Sequence, residues 1–457
     1  MGSAKKNFIY NFIYQVLILI IPLITAPYLA RTLGANGLGK YSYTYSIVSY
    51  FMMFILLGLN NYGNRTIAKN RENITNLSKS FWSIYFLQLI IGAIVVVIYI
   101  LFIVIFGAKY RVLYFIEFFY IISCILDINW FFFGIEKFKK TVVRNSIIKI
   151  LTVILIFILV RDVSDLHMYT FIMSFMAFIS QIVLWGFLKK EVIYTRVSIA
   201  EIAKHVKPNL ILFIPVIAIS LYKIMDKIML GMLCNVTEVA YYENAEKIIS
   251  IPMSLITALG TVMLPKISNV ISNGQREIGK IYVEKSITFL MFMSFPMCFG
   301  LFAIGEQFAP IYFGNEFSKS GILIQMLAFT LPFLSFANVI RTQFLIPNER
   351  DKDFIISVIL GAIINIILNL IFIPKLNSIG VCIGTIAAEF TVMAYQIFAV
   401  KNDLDIKKYI KISFGFLLKS LVMYIFIWKL KKIIGNKFML IIVQIIGGII
   451  IYGFINI

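Results

Sequence analysis

The chain has 457 residues, 60% of them hydrophobic, and a mean hydropathy of +0.92. No soluble domain buries that much apolar surface, and a membrane-spanning helix needs only about 20 residues, so the composition specifies a polytopic membrane protein. The formal net charge of +20 suggests nucleic acid at first sight, but the placement of the charges along the chain argues for no nucleic-acid partner.

Fourteen apolar segments are predicted, at 8–30, 41–61, 81–106, 113–133, 146–160, 169–188, 209–233, 244–264, 287–305, 320–345, 355–373, 381–399, 412–430 and 438–457. The runs are long and continuous, without the alternation of a membrane barrel, so the expected fold is all-α. The first run is long enough to span and lacks a convincing cleavage site, so it is read as a helix rather than a signal peptide. Counted from a cytoplasmic N-terminus, the inner connections carry 25 Lys and Arg and the outer ones 11. This asymmetry places both termini in the cytoplasm and explains most of the basicity as an orientation signal. One outer connection, with Lys429, Lys431, Lys432 and Lys437, runs against it.

The basic connection 189–208 follows the sixth segment and is the natural joint. The expected organisation is an N-terminal six-helix bundle over 1–188, a cytoplasmic linker, a C-terminal six-helix bundle over 209–400, and two additional helices in 401–457. A weak internal repeat agrees with this. "YLARTLGANGLGKYSYTYS" and "KIMDKIMLGMLCNVTEVAYYENA" both read as a cation, Leu-Gly, a short turn and a Tyr-rich helix start, matching Leu33-Gly34 to Leu230-Gly231. Both copies enter from the same side, so the repeat is parallel, with a site expected near the midplane between the halves.

Polar residues fall at helical spacing in several segments: Asn7, Asn11 and Gln15; Glu246, Ser250, Thr257 and Thr261; Ser335, Asn338 and Arg341; Thr385, Glu389 and Gln396. In lipid such stripes face other helices or a water-filled cavity, and for Ser, Thr and Asn helix packing is the simpler reading. Charges are harder to dismiss. "SLYKIMDKIMLG" puts Lys223, Asp226 and Lys227 within an apolar run, and each such charge at a helix centre costs roughly 2.5–3.5 kcal/mol. The three share one face at i, i+3 and i+4, so Asp226 is within reach of Lys223 and one cation is left over. The alternative is snorkelling to the outer headgroups, easy for Lys227 and harder for Lys223. Arg341 has the same two readings. Glu389 has no obvious local partner and is the best candidate for a carboxylate that binds a proton or sodium.

Lys149 and Arg31 sit near interfaces and are read as anchors. Tyr41, Tyr43, Tyr45 and Tyr50 are read as an interfacial belt, with a stacking wall for sugar rings as the alternative. Cys124, Cys234, Cys298 and Cys382 are scattered without ligand or redox spacing, and His167 and His205 lie on opposite sides, so no metal site is expected.

Four stretches together resemble the polysaccharide transporters of the multidrug/oligosaccharidyl-lipid/polysaccharide (MOP) superfamily, the MATE-like group that includes the Wzx-type oligosaccharide flippases. They are "PYLARTLGANGLGKYSY" from Pro27, "DINWFFFGIEKFKK" from Asp127, "MDKIMLG" from Met225, and "GAIINIILNLIFIPKLNSIGVCIGTIAAE" from Gly361 to Glu389. "YFGNEFSKSG" from Tyr312 fits a smaller pattern of the same family. Parts of these motifs are architectural: Asn365 and Asn369, at i and i+4, can hydrogen-bond across helices, Trp130 sits where an interfacial anchor belongs, and Gly34, Gly37 and Gly39 permit a tight turn.

The resemblance implies two six-helix bundles around a cavity open to one side at a time. It implies a flippase, not an enzyme, moving undecaprenyl-pyrophosphate-linked oligosaccharide from the inner to the outer leaflet of a bacterial inner membrane, for O-antigen- or capsule-type polysaccharide. Lys223, Lys227 and Arg341 would bind the diphosphate and Asp226 would moderate the site. Coupling to a proton or sodium gradient, typical of the superfamily, would fall to Glu389 or Asp226; no other cofactor is expected. Membrane lipids and polysaccharide polymerase machinery are the further partners. A multidrug antiporter of the same fold should carry surplus acid for cationic cargo, whereas the sequence suggests surplus base. A lipid II flippase shares the same logic. A membrane glycosyltransferase or polymerase commonly needs a large outer loop, and this chain is expected to have none.

Overall fold

The computed structural model describes residues 2–189 and 191–456, with side chains from residue 17 onward except those of residues 215 and 222. The Asn7, Asn11 and Gln15 stripe lies outside the described side chains. Among the described residues there is no strand, and thirteen helical stretches are long and apolar enough to cross a membrane. The first, Leu17–Asn70, carries two of the fourteen predicted segments. Its 54 residues would extend about 80 Å as one rod, far beyond the ~30 Å hydrocarbon core, so it cannot cross once and straight. Helix α1 (Gly2–Leu56) is in fact broken at Gly34, with φ 66° and ψ 175°, a conformation that only glycine adopts cheaply. The two counts differ only at this bend. Gly231, the matching position of the repeat, has no such turn: it lies inside a helix and is not among the described glycines with positive φ.

The chain forms two compact units, 1–217 and 218–457. The first contains α1, α2 (Leu59–Asn70), α3 (Ile74–Ile105), α4 (Arg111–Ile125), α5 (Asn129–Gly134), α6 (Phe138–Leu159), α7 (Leu166–Leu188), α8 (Ile199–Ala203) and most of α9 (Val206–Lys223). Connection 189–208 packs on this unit: Glu191 pairs with Lys137 and Lys140, Glu201 with Lys79, and Trp82 Nε1 donates to the Ile193 carbonyl at 3.0 Å.

Two aromatic residues, Trp130 and Tyr41, differ from expectation here. Trp130 is no interfacial anchor; it is fully buried among Phe81, Phe131, Phe132 and Leu184. Its indole N–H is satisfied internally, donating to Gln88 Oε1 and the Asp127 carbonyl, both at 3.1 Å, and Gly63 lies so close to the ring that a Cβ would stand 2.7 Å from it. Tyr41 departs from the expected belt too. Tyr41 is buried, hydroxyl to hydroxyl with Tyr120 at 2.9 Å, its ring stacked on Tyr45 and edge-on to Tyr169, while Tyr43 meets Tyr110 edge-on. A polar tip that finds a partner inside the protein has no need of headgroups.

The second unit continues with α10 (Met225–Leu233), α11 (Val236–Ser272), α12 (Arg276–Phe313), α13 (Ser318–Ala328), α14 (Thr330–Ile340), α15 (Asp351–Leu376), α16 (Ser378–Val400), α17 (Ile406–Lys429) and α18 (Lys437–Asn456). The Gly361–Glu389 stretch is the tight α15–α16 hairpin. It turns at Asn377 (φ 54°), and at Gly380 and Gly384 the helices approach closer than any Cβ allows. The last two helices dock on α12, where Phe292, Phe299, Met423, Ile427 and Tyr452 pack together and Tyr452 donates to the Phe292 carbonyl at 2.9 Å. Lys431, in the connection that broke the charge rule, pairs with Glu306 at 2.8 Å.

Candidate functional site

The predicted single helix 209–233 is two helices, α9 and α10, joined at Ile224. That break separates Lys223 from Asp226, and the pair expected between them does not form. Asp226 is fully buried and accepts hydrogen bonds from Asn369 Nδ2 at 2.6 Å and Tyr242 OH at 3.1 Å. Thr385 Oγ1 lies 3.0 Å from the same carboxylate and 2.9 Å from the Val381 carbonyl, sharing one proton between two acceptors. Four helices, α10, α11, α15 and α16, therefore meet on one carboxyl group. Among the described residues, no cation pairs with it within 4 Å. Asn369 also donates to Asn365 Oδ1 at 3.2 Å, leaving Asn369 Oδ1 and Asn365 Nδ2 buried without partners. The expectation of a bond across helices is met by Asn369, to Asp226, whereas among the described residues Asn365 bonds only Asn369 on its own helix.

Lys227 is 18% exposed and does not reach for headgroups. It pairs with Glu243 and, at 3.1 Å, with Glu246, both on α11. Lys247 extends the chain of charge, 3.7 Å from Glu243 and 3.4 Å from Asn244 Oδ1. Lys223 is exposed and makes no ion pair among the described residues. Its charge reaches both Glu246 and Glu389. Glu389 is 7% exposed, without a hydrogen bond or ion pair within 4 Å among the described residues, and Arg341 is the other cation in its electrostatic range. Arg341 opens a π-helical turn, 341–345, after α14 and lies over the Phe354 ring at 5.5 Å. Such turns are common at functional sites because they offset the side chains that follow.

The structure thus gathers Lys223, Asp226, Lys227, Arg341 and Glu389 into one unit and adds Glu243, Glu246 and Lys247. Four cations face four carboxylates, so the surplus of base expected from the sequence is absent when all are ionised. Glu243 escaped notice because the predicted segment began at 244 and left it in a water-exposed connection, whereas α11 starts at Val236. The signal was present: Tyr242, Glu243, Glu246 and Lys247 follow helical spacing.

Of the remaining stripes, Asn338 and Gln396 meet neighbouring helices. Thr257 and Thr261 bond back to their own helix, and Ser250 does so while exposed. Asn338 on α14 lies against Gly260, where a Cβ would stand 2.5 Å from its Oδ1, and Gln396 donates to Ser357 at 3.0 Å. In the first unit, Arg31 is exposed and lines a recess of about 590 Å³ with Tyr28, Arg161 and Asp162, while Lys149 is half-buried. Arg144, counted only as a loop charge in the sequence, is buried and donates to the Ser180 carbonyl (2.8 Å), Asn129 Oδ1 (2.8 Å) and Asn145 Oδ1 (2.6 Å), tying the Asp127–Asn129 motif to α6 and α7.

Helices long and apolar enough to span a membrane, with opposed charges buried among them, mark a functional site in a multi-pass membrane protein. Residues 4–271 match the family described as polysaccharide biosynthesis protein, and residues 212–371 match the MatE family. The chain belongs to the polysaccharide biosynthesis protein family. It is 24% identical over 407 residues to a putative O-antigen transporter of Escherichia coli K12, covering 88% of this chain and 97% of that one. A probable low-salt glycan biosynthesis flippase of Haloferax volcanii is 23% identical over half of each chain (50% and 49%). Among solved structures, a lipid II flippase, MurJ, in an inward closed conformation superposes with a TM-score of 0.79 at 18% identity, covering 98% of this chain and 97% of that one, a likeness of fold.

Proposed function

We propose that this protein is a flippase that carries lipid-linked oligosaccharide repeat units, on an undecaprenyl-pyrophosphate carrier, from the cytoplasmic to the outer leaflet. Family membership and the names of the relatives support the class of cargo. The observation that carries the chemistry is the exposed Lys223, whose charge, like that of Arg341, reaches Glu389, a pair of cations suited to grip a diphosphate. With four carboxylates opposite four cations, the grip becomes net positive only when carboxylates are neutralised. Uptake of a proton or a monovalent cation at Asp226 or Glu389 would supply that change and couple cargo binding to an ion gradient. The hydroxyl oxygens of Tyr242 and Thr385 beside the Asp226 carboxylate are of the hard type that suits such an ion.

The test uses cells lacking the gene. Their lipid-linked saccharides are extracted, weighed by mass spectrometry and assigned to a leaflet. Complete repeat units trapped on the cytoplasmic side are the expected result. The second reading, a cation antiporter, is favoured by the balanced acid content and the MatE match. It would instead give normal lipid-linked sugars together with new sensitivity to cationic drugs.

A further inference from the structure

The first unit contains a recess of about 300 Å³ where α1 gives way to α2, lined by Tyr45, Ser49, Met52, Met53, Asn60, Asn61 and neighbours. That volume is at the lower end of the range for small-molecule sites, roughly 300–1,000 Å³. The recess is built by a strained turn. Leu57 sits at φ 45°, in the left-handed region that costs a non-glycine residue stability, and Gly58 follows. A side chain at Gly58 would collide with the Asn209 carbonyl at 2.6 Å and with Leu212, so α9 closes tightly behind the turn.

The chemistry of the lining is specific. It holds no acid and no base. Asn60 and Asn61 are exposed, and among the described residues neither side-chain amide has a hydrogen-bonding partner, so each offers two donors and an acceptor. Ser49 spends its proton on the Tyr45 carbonyl at 2.7 Å and keeps its acceptor capacity. The Tyr45 ring, stacked on Tyr41 and braced edge-on by Tyr120 at 5.1 Å, supplies a rigid aromatic wall, and Met52 and Met53 supply apolar contact. A sugar ring needs this combination: an apolar C–H face to lie on an aromatic or thioether surface, and uncharged amides to read its hydroxyls. An acyl chain would leave the amides unpaired, and a phosphate would find no cation.

We infer that this recess is a saccharide subsite that reads the uncharged sugars of the cargo. The inference rests on the flippase reading and adds to it the element that selects among oligosaccharides. The probe is the repeat-unit oligosaccharide released by mild acid from the lipid pool of cells lacking the gene. Its binding to the full-length protein in nanodiscs is followed by saturation-transfer NMR and calorimetry. Asn60→Ala combined with Asn61→Ala, and separately Met53→Trp to fill the recess, should each weaken the oligosaccharide at least tenfold and leave sugar-free undecaprenyl pyrophosphate within twofold. Equal oligosaccharide affinity in the parent and both variants would overturn the subsite. So would loss of the sugar-free lipid alone in Met53→Trp, which would assign the recess to the prenyl tail. If the parent binds no oligosaccharide although complete repeat units accumulate inside the mutant cells, the subsite is wrong and the flippase stands. If no repeat unit accumulates, the flippase reading fails and the subsite falls with it.

Discussion

Gly384→Ala places a single methyl group against the hydrogen bonds that hold Asp226. A Cβ at this position would stand 2.3 Å from Asn369 Oδ1 and 3.4 Å from Asn365 Nδ2, and the Asn369 amide is pinned on its other side by Asp226 at 2.6 Å. The amide must swing away, which breaks a bond to a buried carboxylate worth about 1.5–3 kcal/mol. Residual crowding in the tight α15–α16 hairpin adds about 1 kcal/mol, the low end for overpacking. We expect a total loss near 3 kcal/mol by equilibrium unfolding in mixed micelles, with export reduced in parallel. Asn369→Ala makes room for the methyl and loses the same bond. Gly384→Ala added to Asn369→Ala should therefore cost little more than Asn369→Ala alone, a coupling of about 2 kcal/mol, well above the ~0.5 kcal/mol scatter of independent sites. Additive losses would refute the reasoning, because they would mean that the methyl acts elsewhere than on Asn369.

Lys223→Leu should abolish export while insertion and abundance, followed by immunoblot, stay normal, since this exposed lysine holds no ion pair. Lys227→Leu should behave differently. It strands Glu246 and leaves Glu243 only Lys247 at 3.7 Å, costs up to about 3 kcal/mol for a mostly buried pair, and lowers abundance unless both glutamates are changed to glutamine as well. Glu191 carries a pH dependence. Burial pulls its carboxyl upward, but hydrogen bonds and charge from Lys137 and Lys140 outweigh that and hold it below the ordinary carboxylate value. Its contribution is therefore fully present above the unfolded value of about 4.3 and is lost as pH falls through the lowered one. Cleavage beside the exposed Tyr194 by pepsin, which works at acid pH, should rise in that window, and Glu191→Gln should expose the same connection already at neutral pH, read there by trypsin at Arg196.

The helices were legible because lipid leaves the backbone no alternative: each long apolar run had to bond within itself, and each of the fourteen predicted segments lies mainly on helix, with breaks, for example, at 57–58, 126–128 and 224. The sites of aromatic residues were not legible in the same way. Trp130 and Tyr41 carry the amphipathic pattern of interface residues, and only the fold reveals that Gln88 and Tyr120 wait for their polar tips. The charged stretch was legible as a site but misread in its pairing. Spacing put Lys223 beside Asp226, whereas the break at Ile224 and three neutral side chains from α11, α15 and α16 decide what the carboxylate touches. Long-range partners of this kind leave only faint traces in a single sequence. Asn365 and Asn369 at i and i+4 were one such trace, and it pointed correctly for Asn369.

The most direct measurement places purified protein in proteoliposomes with undecaprenyl-pyrophosphate-linked repeat units in both leaflets and adds a glycosidase outside. The account predicts that the inner-leaflet pool becomes accessible within minutes, and that it stays protected with the Lys223→Leu protein. A pool that stays protected with the parent protein, under proton and sodium gradients of either direction, would contradict it.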